Sequence, residues 1–504
     1  GPNHVMTVLN SEIRIQSKTG AVISTMTLNA FWAGVEPAGG GGVFDPKVLY
    51  DQINGRWIFT AVSDAQSANS AFLIAATPGN DPTAVWNRFA VDYDSTDVNW
   101  GDYPSFGFNK DLVAVNLNSF TISGNSFTGT RTFILRKSTL YAAVPTITGT
   151  TFNNGTAFGF TIVPAITHDN ALATLYFLAD RTAAGFPGQL QLYTATTTGA
   201  AETFTASAIT PTGTAWNFNS PTDFALQSGV ARGIMNNDSR IQNVVYRNGS
   251  LWTAHTAFFP TGTPTRSTVQ WWQINPASNT PVQLGRVEDT TPPNLGGTAV
   301  IFYAFPSIAV NQNSSVLIGY SRFSSLQFAS ANYSFRSAGD PLNTMRDDTV
   351  LKAGEDCYNK DFGGGRNRWG DYSSTVIDPS DDSSFWTIQE YAAPRVGALC
   401  TTANSGRWAT WWGKILAPTA ALTPVGGRVM TAHKRSINGV RLTFTNQQGI
   451  GRTVRTNPAG YYRLDDLAAG ETYIVSLYHK SYRFETQVFS LNEELTEFNF
   501  VALP

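Results

Sequence analysis

The chain has 504 residues, of which 14% are charged and 12% are aromatic, whereas an average soluble domain is roughly 25% charged. The formal net charge of -2 excludes an electrostatic mode of nucleic-acid binding. No apolar run reaches the roughly 18 residues that a membrane-spanning helix needs. A surface that is polar through Asn, Ser, Thr and Gly suits strands and tight turns, and we expect an extracellular or cell-surface protein whose leader is absent from this chain.

A unit of two apolar strands joined by a short turn recurs along the chain. Three short strands within residues 4–28 form the first copy, and the turns Asn54-Gly55 and Asn248-Gly249 are typical of hairpins. Trp100-Gly101-Asp102-Tyr103 and Trp369-Gly370-Asp371-Tyr372 repeat the same four residues and indicate a duplicated unit. Seven copies with irregular spacing predict a seven-bladed β-propeller over residues 1–416. The six later copies span 44–60, 103–115, 163–177, 241–254, 305–320 and 372–388.

The composition changes after residue 416, where 417–424 form a linker rich in Pro, Ala and Thr. Beyond it, Gly427-Arg428-Val429, the segment 456–462 (TNPAGYY) and the segment 467–473 (LAAGETY) carry G-x-V, T-[ND]-x-x-G-x-[YF] and L-x-x-G-x-[TY]-Y patterns. Together they closely resemble the carboxypeptidase regulatory-like, or transthyretin-like, domain. The resemblance implies a small non-catalytic β-sandwich over 425–504, with a spacer, docking or adhesion role in a secreted protein. The expected fold class is therefore all-β.

The first 415 residues are similar to a group of secreted bacterial β-propeller proteins related loosely to sialidase-like propellers. The similarity is carried by 1–5 (GPNHV), 44–47 (FDPK), 368–373 (RWGDYS) and 385–391 (FWTIQEY). It implies a fold and no particular activity. The Asp-box of sialidases, S-x-D-x-G-x-T-W, is not intact here, and its nearest counterpart at 380–386 lacks the glycine.

Charged residues recur where the predicted blades begin, and the first strand of a blade lines the central channel. These side chains could converge at one mouth, where a pair of carboxylates can hydrolyse a glycoside. Alternatively they cap turns and pair with arginine to hold neighbouring blades together, and the repetition of W-G-D-Y favours this interpretation. The candidate binding residues are Asp45, Lys47, Asp102, Arg240, Arg368 and Asp371, with Glu390 expected just after the second strand of the last blade. No residue is assigned a catalytic role.

Asp92, Asp94 and Asp97 make the segment just before the first W-G-D-Y motif rich in oxygen ligands. Oxygen ligands at alternating loop positions suit Ca²⁺, although a solvated acidic turn explains the same residues. Cys357 and Cys400 are the only cysteines, and they favour one disulfide in an oxidising compartment over two reduced thiols.

Three hypotheses for function follow from these features. The first is a non-catalytic extracellular structural or adhesive protein that assembles into homo-oligomers or filaments. The second is a lectin-like surface protein that binds an extracellular glycan at the propeller mouth. The third is a glycosidase or polysaccharide lyase at the same mouth, which convergent carboxylates with perturbed pKa values would favour.

Overall fold

A computed structural model of the chain describes residues 1–37, 41–199, 201–290, 300–362, 364–396, 399–417, 422–446, 449, 451–491 and 493–504. The chain divides into two compact units: Gly1–Arg336 with Leu342–Leu416, and Ser337–Pro341 with Ala417–Pro504. Residues 418–421 of the predicted linker lie outside the described residues. In the part of the chain that the structure describes, helix is limited to α1 (Leu28–Trp32), α2 (Lys137–Leu140) and two short 3-10 turns, and none of these has the length and apolarity to cross a bilayer.

The described residues of the first unit form 26 strands. They are β1 (His4–Val8), β2 (Ile13–Ser17), β3 (Val22–Met26), β4 (Val43–Asp51), β5 (Arg56–Ser63), β6 (Ala71–Ala76), β7 (Asn87–Asp92), β8 (Asn99–Phe108), β9 (Leu112–Thr121), β10 (Phe127–Arg136), β11 (Gly149–Gly155), β12 (Val163–Thr167), β13 (Leu175–Asp180), β14 (Gln189–Thr198), β15 (Ala201–Pro211), β16 (Ile241–Arg247), β17 (Ser250–Phe259), β18 (Arg266–Asn275), β19 (Thr280–Val287), β20 (Ile301–Val310), β21 (Val316–Ser324), β22 (Gln327–Arg336), β23 (Thr349–Lys352), β24 (Ser374–Ile377), β25 (Phe385–Ala393) and β26 (Arg407–Ile415).

These strands form antiparallel meanders that follow one another along the chain. β1–β3 and β24–β26 are three-stranded groups, and β4–β7, β8–β11, β12–β15, β16–β19 and β20–β23 are four-stranded groups. The first strands of three neighbouring groups lie side by side in parallel, because Ile166 of β12 pairs with Phe108 of β8 and Ala165 pairs with Val244 of β16. The expected all-β, propeller-like architecture is thus confirmed in outline.

Apolar side chains pack between neighbouring groups and form the core. Phe72 and Phe133, from the second and third groups, place their ring centroids 4.7 Å apart. Trp271 and Trp272 are adjacent on β18 and therefore point to opposite faces of the sheet. Both are fully buried, Trp271 in the cluster that contains Tyr320 and Trp272 in a different cluster. Both rings of this pair are therefore core residues.

The first strands of three groups carry a bulge near their beginning. The pairing of β4, β8 and β20 with their neighbours shifts register at Asp45, Tyr103 and Phe305. These three residues have φ values of 52°, 56° and 56°, and each precedes a proline. A bulge bends its strand and redirects side chains, and a proline inside a strand is tolerated at a bulge because it cannot donate to the ladder.

The described residues of the second unit form two small sheets around their own apolar core. One sheet has the order β30-β27-β33 and the other β29-β28-β31-β32. The core includes Val429, Phe444, Tyr462 and Val475. The strands are β27 (Leu422–Met430), β28 (Arg441–Asn446), β29 (Gly451–Arg455), β30 (Tyr461–Ala468), β31 (Glu471–Tyr478), β32 (Gln487–Leu491) and β33 (Phe500–Val501).

Candidate functional site

A cavity of about 1020 Å³ lies at the centre of the first unit, and every strand group contributes to its wall. From Asp45 to Gln52 the wall follows β4 for roughly 20 Å at about 3.3 Å per residue, so the cavity is a deep channel. We call it the central cavity. Residues that line it from the first strands of successive groups include Met6, Lys47, Phe106, Ile166, Val245, Ala309 and Val376.

Five of the seven residues expected at the mouth line the central cavity. They are Asp45, Lys47, Arg368, Asp371 and Glu390. Asp102 and Arg240 are not part of its wall, although both act electrostatically on groups that are. Five of the residues selected from the sequence therefore line the cavity, and two of them, Asp102 and Arg240, do not.

The two copies of the W-G-D-Y motif meet through their tyrosines. The rings of Tyr103 and Tyr372 lie 4.6 Å apart and are tilted by 33°. The ammonium of Lys47 lies 4.3 Å from the Tyr372 ring and 5.0 Å from the Tyr103 ring. The hydroxyl of Tyr372 donates to Asp45 at 2.7 Å, and that of Tyr103 donates to Gln242 at 2.9 Å. The duplication therefore produces one aromatic pair, which the sequence analysis did not recognise as a contact.

Several of the predicted charges are already paired. The guanidinium of Arg240 donates twice to Asp238, at 2.7 and 2.5 Å, and it also stacks 4.2 Å from the Tyr103 ring. Arg368 forms an ion pair with Asp371, which in addition accepts from the side chain of Asn237 at 2.8 Å. These bonds agree with the interpretation in which charges at the blade entrances hold segments of the unit together.

Asp45 and Lys47 are strongly perturbed by their surroundings. Burial raises the pKa of Asp45 to about 7, and the charges of Asp102 and Asp371 add to this effect. Burial also lowers the pKa of Lys47 to about 7, with the charge of Asp45 opposing the shift. Removal from water disfavours the charged form of either group. The central cavity therefore contains two groups that change protonation near neutral pH.

Glu390 lies inside β25 and not after it, because the apolar residues that follow continue the strand to Ala393. The side chain is only 2% exposed, and its carboxyl group faces the indole N–H groups of Trp408 and Trp369, which favour the charged form. Burial raises the pKa of Glu390 well above its ordinary value, and the charge of Asp371 raises it further. Glu390 is therefore a buried carboxyl group at the wall of the cavity, where burial disfavours its charged form.

The opposite end of the cavity contains a histidine that the sequence analysis had not selected. The amide of Gln52 donates to Nδ1 of His168 at 3.1 Å and also to the carbonyl of Thr167 at 3.1 Å. Burial lowers the pKa of His168 to about 3, and the charge of Arg247 adds to the shift. His168 is therefore a neutral, oriented imidazole.

The expected calcium loop is organised as a turn around Asp94. This carboxylate accepts from the Thr96 hydroxyl at 2.7 Å, the Asn99 amide nitrogen at 3.0 Å and Arg131 at 3.2 Å. Burial opposes ionisation, but these bonds outweigh it and hold the pKa of Asp94 below its ordinary value. Asp92 and Asp97 do not join Asp94 in a cluster of candidate ligands.

Cys357 and Cys400 form a disulfide with their Cα atoms 6.0 Å apart. With Asp356 they are the only group of three candidate metal ligands among the described residues, and both sulfurs are committed to the disulfide. Arg395 pairs with Asp356 at 2.5 Å, and Asn359 donates to the carbonyl of Cys400 at 3.0 Å. The disulfide thus fastens the segment that leads to Arg368 and Asp371.

No protein-family profile and no curated protein sequence matches the chain. Several solved structures are similar to the chain. A hypothetical selenium-binding protein from Sulfolobus tokodaii is 9% identical over 71% of this chain and 80% of its own, with a TM-score of 0.38. Trypanosoma rangeli sialidase in complex with sialic acid is 10% identical over 99% and 90%, also at 0.38. An α-L-arabinofuranosidase from Fusarium graminearum is 10% identical over 74% and 93%, at 0.37. At these scores the description of the fold rests on the sheets themselves.

Proposed function

We propose that the chain is a non-catalytic extracellular adhesive protein whose first unit is a seven-bladed propeller that binds carbohydrate in the central cavity. In this proposal the second unit is the transthyretin-like module. The seven successive strand groups support the blade number. The disulfide between Cys357 and Cys400 supports an oxidising compartment.

The observation that carries the binding proposal is the aromatic ring of Tyr372 beside Lys47 at the cavity wall. Tyr372 and Lys47 line the cavity beside hydrogen-bonding groups from Asp371 and Ser373. Ligand sites usually combine apolar and aromatic surface with a few oriented polar groups, and a sugar presents both a C–H face and hydroxyls. The ion pair between Arg368 and Asp371 supports binding over catalysis, because each charge already has a partner.

The test is a glycan array probed with the full chain, with one tyrosine removed at a time. Tyr372→Ala should reduce glycan binding at least tenfold, because it removes the ring and the hydroxyl that donates to Asp45. Tyr478→Ala is a matched control, since Tyr478 also lies beneath a cation, Arg441 at 5.4 Å, but belongs to the second unit. Equal binding by the wild type and Tyr372→Ala would contradict the proposal.

Self-assembly is a second candidate, favoured by an apolar pair on the second unit. Ile474 of β31 and Val488 of β32 lie directly opposite each other and are 50% and 65% exposed. Neighbouring exposed apolar residues mark interaction surfaces. Light scattering and negative-stain electron microscopy should show oligomers or filaments that Val488→Glu disperses. A monomer at every concentration would exclude assembly by this face.

Hydrolysis is tested in the same glycan incubations. Asp45 and Asp371 both line the cavity, and burial raises the pKa of Asp45 to about 7, so Asp45 is the candidate proton donor of a carboxylate pair. New reducing ends, absent with Asp45→Asn, would replace the binding proposal with a glycosidase. Unchanged glycans that remain bound would support the adhesive role.

A further inference from the structure

A second cavity of the first unit, of about 610 Å³, is lined by residues of the third and fourth strand groups. Its wall comes from β10, β14 and β15 and from the two 3-10 turns, Thr156–Phe158 and Thr182–Ala184. None of the described residues lines both this cavity and the central cavity. Sites for small molecules typically measure about 300–1,000 Å³, and this cavity falls within that interval. We call it the Arg181 pocket, after the buried charged residue in its wall.

Arg181 carries a positive charge that no described carboxylate neutralises by an ion pair. The residue is only 3% exposed. Its guanidinium donates to the Tyr193 hydroxyl at 3.3 Å and to the carbonyl of Ala157 at 2.7 Å, and its Nε–H has no partner among the described residues. The carboxylate of the adjacent Asp180 is bound elsewhere, by the hydroxyl of Thr182 at 2.6 Å. Because an unpaired buried charge is strongly disfavoured, the guanidinium calls for an anion.

The guanidinium keeps donors for such an anion. Its bonds to Tyr193 and Ala157 use only part of the five N–H groups of an arginine. Tyr193 does not supply the missing negative charge, because burial raises the pKa of its hydroxyl to about 12. Gly159 leaves space beside the guanidinium, since a Cβ atom at this position would lie 3.0 Å from Nη1 of Arg181. Arginine N–H groups bind a carboxylate strongly and in a defined orientation.

Much of the remaining wall is aromatic. Phe127, Phe158, Phe160 and Phe186 all line the pocket. The rings of Phe127 and Phe160 pack edge to face with centroids 5.2 Å apart, and the Phe186 ring lies 5.7 Å from the guanidinium carbon of Arg181. Phe186 is 40% exposed and therefore lies at the outer rim. A ligand that contacts both the rings and the guanidinium combines an apolar body with an anionic end.

We propose that the Arg181 pocket binds a small aromatic carboxylate, with its carboxylate group on the guanidinium of Arg181 and its ring against the phenylalanine side chains. This inference goes beyond the proposed carbohydrate binding, because the two cavities share none of their described wall residues. A neutral aromatic compound would leave the buried charge unpaired. A carboxylate without a ring would leave the aromatic walls uncovered.

The test compares three probes that separate the charge from the ring. Phenylacetate, the neutral phenylacetamide and acetate are titrated into the full chain by isothermal titration calorimetry. Phenylacetate should bind tenfold or more tightly than either of the others. Arg181→Gln should abolish the preference for the carboxylate over the amide, because it removes the charge and retains a polar side chain. Phe186→Ala should weaken phenylacetate binding severalfold, because it removes ring surface at the rim.

Phe362→Ala is a matched control for Phe186→Ala. Phe362 is also exposed, at 71%, and its ring also lies 5.7 Å from a cation, the ammonium of Lys360. Both of these residues line the central cavity and not the Arg181 pocket. Phe362→Ala should therefore leave phenylacetate binding unchanged.

The other outcomes contradict the proposal in different ways. Equal affinity for phenylacetate and phenylacetamide, or binding of none of the three probes, overturns it. Acetate that binds as tightly as phenylacetate identifies a simple anion site and refutes the role of the rings. Binding that is lost in Phe362→Ala but retained in Phe186→Ala places the ligand in the central cavity. Should Arg181→Gln fail to fold by circular dichroism, the three probes on the wild type, together with Phe186→Ala and Phe362→Ala, still decide the question.

Discussion

Removing the disulfide should destabilise the first unit selectively. Cys357 and Cys400 are 43 residues apart in sequence, and a crosslink that closes a loop of this length restricts the unfolded chain by about 4 kcal/mol in the loop-entropy model. All 13 tryptophans lie at or before Trp412, so their fluorescence follows unfolding of the first unit without contribution from the second. We expect the double variant Cys357→Ser/Cys400→Ser to lose up to about 4 kcal/mol of unfolding free energy in urea.

The same variant should also weaken ligand binding at the central cavity. The disulfide fastens the segment that contains Tyr358, Arg368 and Asp371, all of which line the cavity. Adding a reductant to the wild type should reproduce the loss of stability, and adding it to the double variant should change nothing. An unfolding curve for the variant that overlays the wild type would refute the reasoning, because the bond would then impose no constraint that the fold does not already provide.

Three further predictions concern buried charges. Lys137 and Asp51 form an ion pair at 2.6 Å with side chains only 4% and 0% exposed. Lys137→Met leaves the Asp51 carboxylate buried without its cation and should lower the free energy of unfolding by about 3–5 kcal/mol, measured by tryptophan fluorescence in urea. A loss below about 1 kcal/mol would contradict the argument from burial. The pKa of Asp45 is raised to about 7 from 3.8, so this group stabilises the folded state less as pH rises from about 4 to 7. The free energy of unfolding of Asp45→Asn should therefore increase relative to that of the wild type across this interval. A constant difference between the two proteins would show that Asp45 does not titrate there. Asp94→Ala should lower the free energy of unfolding by about 1–3 kcal/mol because its hydrogen bonds are lost. Excess Ca²⁺ should leave the melting temperature of the wild type unchanged, and a rise in melting temperature with Ca²⁺ would restore the calcium hypothesis.

The order of strands could be predicted from the sequence because its signals are local. The Asn54-Gly55 and Asn248-Gly249 turns join the first and second strands of their groups as expected. The sequence analysis ended β25 before Glu390, because Glu390 and Tyr391 are polar residues of the kind that often follow a strand. Only the packing of Tyr391 and Ala393 against Ala331 shows why the strand continues.

Contacts between segments far apart in the sequence determine the features of the site that could not be predicted from the sequence. Asp94 resembles a cation ligand in sequence, but Arg131 comes from β10 and occupies the carboxylate. Tyr103 and Tyr372 are 269 positions apart, and repetition of their motif predicts a similar local structure for each copy without predicting that the copies touch. Tyr103 lies on β8 of the third strand group and Tyr372 lies just before β24 of the seventh, so their contact joins two groups that do not follow one another along the chain.

The bulges in the first strands explain how Asp45 and Tyr103 come to contact Tyr372. Asp45 and Tyr103 each stand before a proline at the register shift of a first strand, and both have positive φ. A proline there removes a ladder donor, so the strand accommodates it only by bulging, and the bulge turns the preceding side chain out of the regular alternation. The carboxyl of Asp45 thereby meets the hydroxyl of Tyr372. The proline lies three residues after the start of β4 and five residues after the start of β8, and in both strands the residue before it contacts Tyr372.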